Sequence, residues 1–163
     1  MPACGHNAGE RIFRVLVVMK ILDELKLRVR AACGAGGMAE YFHILLMEGA
    51  LKTVVAMVEA RPELLAELLP IVANPEASMN VRFGASAVFE RNAGTAALAA
   101  LVAPLGELAG HADPRVRADA CHYLGLSGRA EARDYLRPRL NDDSAEVREI
   151  TADSLAELDE TAK

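Results

Sequence analysis

The chain has 163 residues, of which 52% are apolar but only 4% aromatic, with no tryptophan. A chain of this length buries about two-thirds of its unfolded surface as one domain, and a core so poor in rings has to be built from Leu, Ala and Val, as close-packed helices are. The net charge of −5 argues against general nucleic-acid binding, which wants a basic domain.

Residues 1–9 (MPACGHNAG) are small and polar and read as a flexible leader, leaving 10–163 as a single domain. In Arg11–Leu27 the apolar residues Ile12, Phe13, Val15, Ile21, Leu22 and Leu25 leave no polar stripe. A helix that is apolar all round is a buried one; a strand over Arg14–Ile21 stays open as the alternative, because a short apolar run is not settled by periodicity. Lys20, Asp23 and Glu24 interrupt any signal-peptide pattern. The longest membrane candidate, Ala93–Gly106, carries Pro104 and falls short of the roughly 18–20 apolar residues a span requires. Three cysteines, Cys4, Cys33 and Cys121, show no disulfide spacing, which suits a reducing compartment. The expected location is cytoplasmic, with no membrane contact.

Gly34, Gly36 and Gly37 break the chain, Met38, Phe42 and Leu45 open a helix, and Gly49 stops it. Leu51, Val54, Val55 and Val58 follow the helical period of the next. Pro62 opens another, in which Leu64, Leu65, Leu68, Leu69 and Val72 face inward before Asn74-Pro75 ends it. A Val-Arg pair then recurs: Val81-Arg82, Val116-Arg117 and, 31 positions later, Val147-Arg148. Three residues before each valine stands a residue suited to cap a helix, namely Ser78, Asp113 and Ser144. Small or apolar residues follow at +4 and +8 (Ala85 and Phe89, Ala120 and Leu124, Thr151 and Leu155), on one helical face. Glycine breaks come next, at Gly94 and at Gly125 and Gly128. Second amphipathic runs then carry Leu98, Leu101, Val102, Leu105 and Leu108, and more loosely Ala132, Leu136 and Leu140. Self-similarity at a fixed period marks a helical repeat array, here of about eight or nine helices.

The pattern D-P-x-V-R-x-x-A-x-x-x-L-G from Asp113 to Gly125 resembles the HEAT-like repeats named for the phycobilisome lyases. The resemblance is clear over residues 74–158 and implies an all-α solenoid of stacked helix pairs; the 31-residue spacing is shorter than the roughly 40–47 of ordinary HEAT repeats. More loosely, Tyr41–Leu155 is similar to the helical part of bacterial proteins that join a thioredoxin-like domain to such repeats. No C-x-x-C occurs, so no thioredoxin activity is implied.

Candidate chemistry is sparse. Cys121-His122 are adjacent, so on a helix they point about 100° apart, whereas nucleophilic catalysis needs side chains within hydrogen-bond reach; Cys121 takes a packing position and His122 a surface one. Cys33, between Arg28 and Arg30 and a glycine cluster, reads as a plain loop cysteine, the alternative being an exposed thiol whose pKa the arginines lower. Cys4 and His6 fall short of the four ligands of a closed metal site. No catalytic residue, metal or cofactor is assigned. Arg82, Arg117 and Arg148 form a structural ladder, bonding acidic groups or carbonyls at the turns between repeats with Asp113, Asp142 and Asp143 nearby. Arg129, Arg133 and Arg137 follow i, i+4, i+8 on one helix. Like charges at that spacing cost a few tenths of a kcal/mol per pair, which Glu131 and Asp134 offset, and the three make the best stripe for an acidic partner. Ile150 stands at the +3 position that is Gly84 and Asp119 in the sister copies. Terminal repeats keep a polar outer face, so Ile150, with Leu158, is expected to cover an apolar patch in a homodimer or a partner, with Arg11–Leu27 as the competing site.

The resulting expectation is a non-catalytic protein-interaction or scaffold module. The alternatives are a lyase-like or chaperone-like assembly factor for a chromophore- or cofactor-bearing protein, and a HEAT-like nucleic-acid binder, against which the charge counts.

Overall fold

A computed structural model of the chain describes residues 37–161. The leader, Arg11–Leu27 with its helix-or-strand alternative, and Cys4, His6 and Cys33 lie outside the described residues. The chain divides into two compact units, Met1–Tyr41 and Phe42–Lys163, and the contacts that follow belong to the second.

Among the described residues every regular element is helical, as the amphipathic periods predict. The order is α1 (Gly37–Met47), α2 (Leu51–Ala60), a 3-10 segment Pro62–Leu68 running into α3 (Leu69–Val72), α4 (Met79–Arg91), α5 (Ala96–Ala99), α6 (Val102–Leu108), α7 (Pro114–Leu126), α8 (Ala132–Leu136) with a 3-10 continuation Arg137–Asn141, and α9 (Ala145–Thr161). The long helices α4, α7 and α9 carry the Val-Arg pairs and pack in sequence order, α4 on α7 and α7 most extensively on α9. The three valines, Val81, Val116 and Val147, are fully buried, as are Ala120 and Thr151 at +4 and Phe89 and Leu124 at +8. The face predicted from spacing is the face that packs.

The returning segments are shorter and broken, each at a proline. Pro70, Pro104 and Pro138 stand 34 positions apart. A proline cannot donate to the carbonyl four residues back, so a regular α-helix cannot run through it with its bonding intact. The Pro62–Leu68 segment is 3-10 and turns α-helical only at Leu69, α5 stops at Ala99 before α6 resumes at Val102, and α8 gives way to 3-10 geometry at Arg137. These kinks rotate the inward face. Ile71 is buried where Leu69 was expected, and Leu69 is only half-buried. Leu140 is left exposed beyond the last kink.

Glycines do two separate jobs. Gly94 and Gly128 take left-handed φ values of 69° and 64° and turn the chain after α4 and α7, a conformation that favours glycine. Gly125, expected as a break, lies inside α7 instead. A Cβ there would stand 2.7 Å from Ser154 Cβ and 3.0 Å from Ser154 Cα on α9, so glycine lets the two helix backbones approach. Gly84 is also tight, but its obstacle is Leu46 Cδ2 at 2.7 Å, the far end of a flexible side chain. In a helix interior Gly→Ala gains roughly 1 kcal/mol of propensity. Gly125→Ala should nonetheless lose about 1–3 kcal/mol, because overpacking against backbone forces the helices apart. Gly84→Ala should be near neutral, since Leu46 can change rotamer. Denaturant unfolding of both variants decides the matter, and equal effects would show that α7 and α9 are not in backbone contact at Ser154.

Candidate functional site

The arginines of the first two Val-Arg pairs make polar contacts to residues 25 or more positions away. Arg117 is 8% exposed, and all of its guanidinium nitrogens are bonded. Its Nη1 donates to the His111 and Ala112 carbonyls at 3.0 and 2.9 Å, at the loop just before its own helix. Its Nε and Nη2 donate to the two carboxylate oxygens of Asp142 at 2.9 and 2.7 Å, and Nη2 also to Asp143 at 2.6 Å. Charge-assisted bidentate pairs of this kind are the strong ones. The Arg117 guanidinium holds the Asp142 carboxyl well below the usual carboxylate range. Asp113 caps α7 by accepting from the Arg115 N–H at 2.8 Å, and its carboxyl is likewise lowered by bonding to Arg115.

Arg82 solves the same problem differently. Five residues before each repeat valine stand Glu76, His111 and Asp142, so the position whose carboxylate serves Arg117 is a histidine one repeat earlier. Arg82 Nη2 goes instead to Asp119 at 2.6 Å and to the Arg115 carbonyl at 3.0 Å, leaving Nη1 buried without a partner. Burial pushes the Asp119 carboxyl up, against the pull of Arg82. Arg148 keeps the carbonyl half of the arrangement, with Nη1 on the carbonyls of Asp142 and Asp143 at 2.7 and 3.1 Å.

The second arginine set does not lie on one continuous α-helix. Arg129 precedes α8 and pairs with Glu131 at 3.4 Å. Arg137 opens the 3-10 segment and is exposed. Arg133 is turned inward: its Nη2 donates to the Leu158 carbonyl at 2.7 Å and to Asp159 at 2.9 Å, fastening the C-terminal part of α9. Leu158 itself is 2% exposed. Ile150 is half-buried. Its sister positions face earlier helices, Gly84 toward Leu46 on α1 and Asp119 toward Arg82 on α4.

Apart from Tyr135 and Leu140, the exposed large apolar residues among those described lie on α1 and α4. Phe83 and Met79 on α4 are 66% and 64% exposed, and Met47 and Ile44 on α1 are 58% and 38% exposed. Met47 and Phe83 line an open cleft of about 320 Å³, together with Leu46, Leu51 and Asn80. Leu51 also lines a second groove of about 580 Å³, with Val55, Ala87 and the Glu59–Arg91 ion pair on its walls. One signal could have found Phe83. It stands at +2, off the buried stripe, in a chain with only four phenylalanines, where the sister residues are the buried Ala118 and the exposed Glu149.

The remaining chemistry is quiet. Cys121 is fully buried, and burial pushes its thiol up. His122 Nε2 faces Glu90 at 3.7 Å rather than the thiol. Among the described residues no group of three or more His, Cys, Asp or Glu could hold a metal ion, and no helix is long and apolar enough to cross a membrane.

A family model described as HEAT repeats matches residues 65–156. No curated protein matches the sequence and no solved structure matches the chain.

Proposed function

Because the chain belongs to the HEAT-repeat family, whose members generally act as protein-binding scaffolds, we propose that it is a non-catalytic protein-interaction module that docks an amphipathic helix of a partner protein. The observation that carries this reading is an open cleft lined by exposed Phe83 and Met47, with exposed Met79 one helical turn before Phe83 and Ile44 one turn before Met47. Apolar residues scattered singly on a surface need no explanation, but a contiguous cluster marks an interaction site. Methionines adapt their shape to what they meet, and a groove bordered by helices fits the apolar face of another helix. Phe83 is the natural anchor, since aromatic residues dominate interface energetics.

The test is affinity capture with the wild type and with Phe83→Asp, combined with cross-linking from positions around the cleft. The wild type should retain a partner whose cross-links map to Met47, Met79 and their neighbours. Phe83→Asp should weaken that complex by about 30-fold or more, the loss of a 2 kcal/mol anchor. Its thermal unfolding should stay unchanged, because the side chain is exposed. An undiminished complex would move the binding face elsewhere on the array.

A further inference from the structure

The Val-Arg device appears in three copies in this sequence, and the copy on α9 is half used. Arg117 and Arg148 anchor themselves alike: in each, Nη1 donates to the carbonyls six and five residues back, His111 and Ala112 in one case, Asp142 and Asp143 in the other. In Arg117 the opposite edge, Nε with Nη2, is closed by carboxylates of the following repeat, Asp142 and Asp143. Arg82 too has its free end taken by a carboxylate of the following repeat, Asp119. Arg148 is exposed, and among the described residues no carboxylate meets its Nε–Nη2 edge.

We infer that this edge of Arg148 is a binding site for a carboxylate supplied by an acidic turn at the start of a further helix stacked beside α9, placed as Asp142-Asp143-Ser144 is placed on Arg117. Three points favour that ligand. The two carbonyls already orient the guanidinium plane, so little side-chain freedom remains to be lost on binding. The presented edge is the fork that matches a carboxylate in two parallel hydrogen bonds. The surroundings are acidic, with Glu146 and Glu149 on the same helix, which suits one carboxylate better than a doubly charged phosphate. The site is separate from the apolar cleft, and it stands whether or not that cleft binds a helix.

A test needs no natural partner. The probe is a synthetic peptide with the sequence of residues 141–150 (NDDSAEVREI), and the readout is the side-chain Nε–H resonance of Arg148 in the full chain. The resonance should move saturably, with a midpoint in the millimolar range. A control peptide with both aspartates changed to asparagine should bind at least about 10-fold more weakly, the loss of one charge-assisted pair. Arg148→Lys keeps a cation able to cap the same carbonyls but lacks the planar edge. It should weaken the response of backbone amides in 142–149 by a similar factor while the helical circular dichroism is unchanged. A resonance that does not move, equal responses to the two peptides, or a lysine variant that binds as well as the wild type would each overturn the assignment.

Discussion

Replacing Arg117 by alanine should destabilise the protein by about 3–5 kcal/mol, the usual cost of removing one partner from a buried ion pair. Asp142 is what makes the loss large. Its side chain is 2% exposed, so without the guanidinium it keeps a carboxylate nearly cut off from water. The carbonyls of His111 and Ala112 lose their donors at the same time. The acid behaviour should change with it. The Asp142 carboxyl is held well below its ordinary range when folded, against about 3.9 when unfolded. The pair therefore contributes its full stability above about pH 5 and loses it as the pH falls below 4 toward the folded value. Arg117→Ala should lack that acid-labile component, so its stability should fall less steeply than the wild type's between about pH 5 and 2. Exchanging both partners for apolar residues, as in Arg117→Met with Asp142→Leu, should recover much of the loss, because a buried pair barely outweighs its own desolvation. A single variant within about 1 kcal/mol of the wild type at pH 7, with an unaltered acid limb, would show that the pair is solvated in solution.

The contrast between Arg117 and Arg133 shows what a single sequence reveals about such an array. The helical period and the recurring valines mark which face of α4, α7 and α9 packs, because an apolar stripe is written in the sequence of one helix. Where a long charged side chain ends up depends on the neighbouring helix. Asp142 is 25 residues from Arg117, and the Arg133 partners Leu158 and Asp159 are 25 and 26 residues away. No local spacing encodes those meetings. The i, i+4, i+8 spacing of Arg129, Arg133 and Arg137 says only that the three share a face, and Arg133 turns inward because Leu158 and Asp159 of the next helix lie beside it. Gly125 looked like a stop because the backbone it makes room for belongs to α9. The 34-residue recurrence of Pro70, Pro104 and Pro138 gains its meaning only from the structure, where each returning segment breaks within a few residues of its proline. Phe83 was legible only as an aromatic residue out of place, since exposure depends on what neighbouring helices leave uncovered.

Phe89→Ala should be the other severe substitution, costing about 3–5 kcal/mol, as large aromatic truncations in a core do. Phe89 on α4 and Tyr123 on α7 are both buried, at 0% and 1% exposure. Their rings stack with centroids 4.2 Å apart and planes 11° from parallel. In a chain with four phenylalanines and three tyrosines, this stack fills a large part of the space between two successive repeats. Nothing nearby can replace it, because the adjoining positions of the stripe, Ala85 and Ala120, are small. Burial also pushes the Tyr123 hydroxyl up in pKa, so the tyrosine should stay neutral in mildly alkaline solution and add no pH dependence there. At about 2–4 °C per kcal/mol for a domain of this size, Phe89→Ala should lower Tm by roughly 6–20 °C. Phe89→Leu should recover more than half of that by refilling volume without the ring. A double-mutant cycle with Tyr123→Leu should then isolate a stacking contribution of about 0.5–1.5 kcal/mol. If Phe89→Ala unfolds within 2 °C of the wild type, the α4–α7 junction is not held by these rings, and the stacked-repeat packing of the first two copies is wrong.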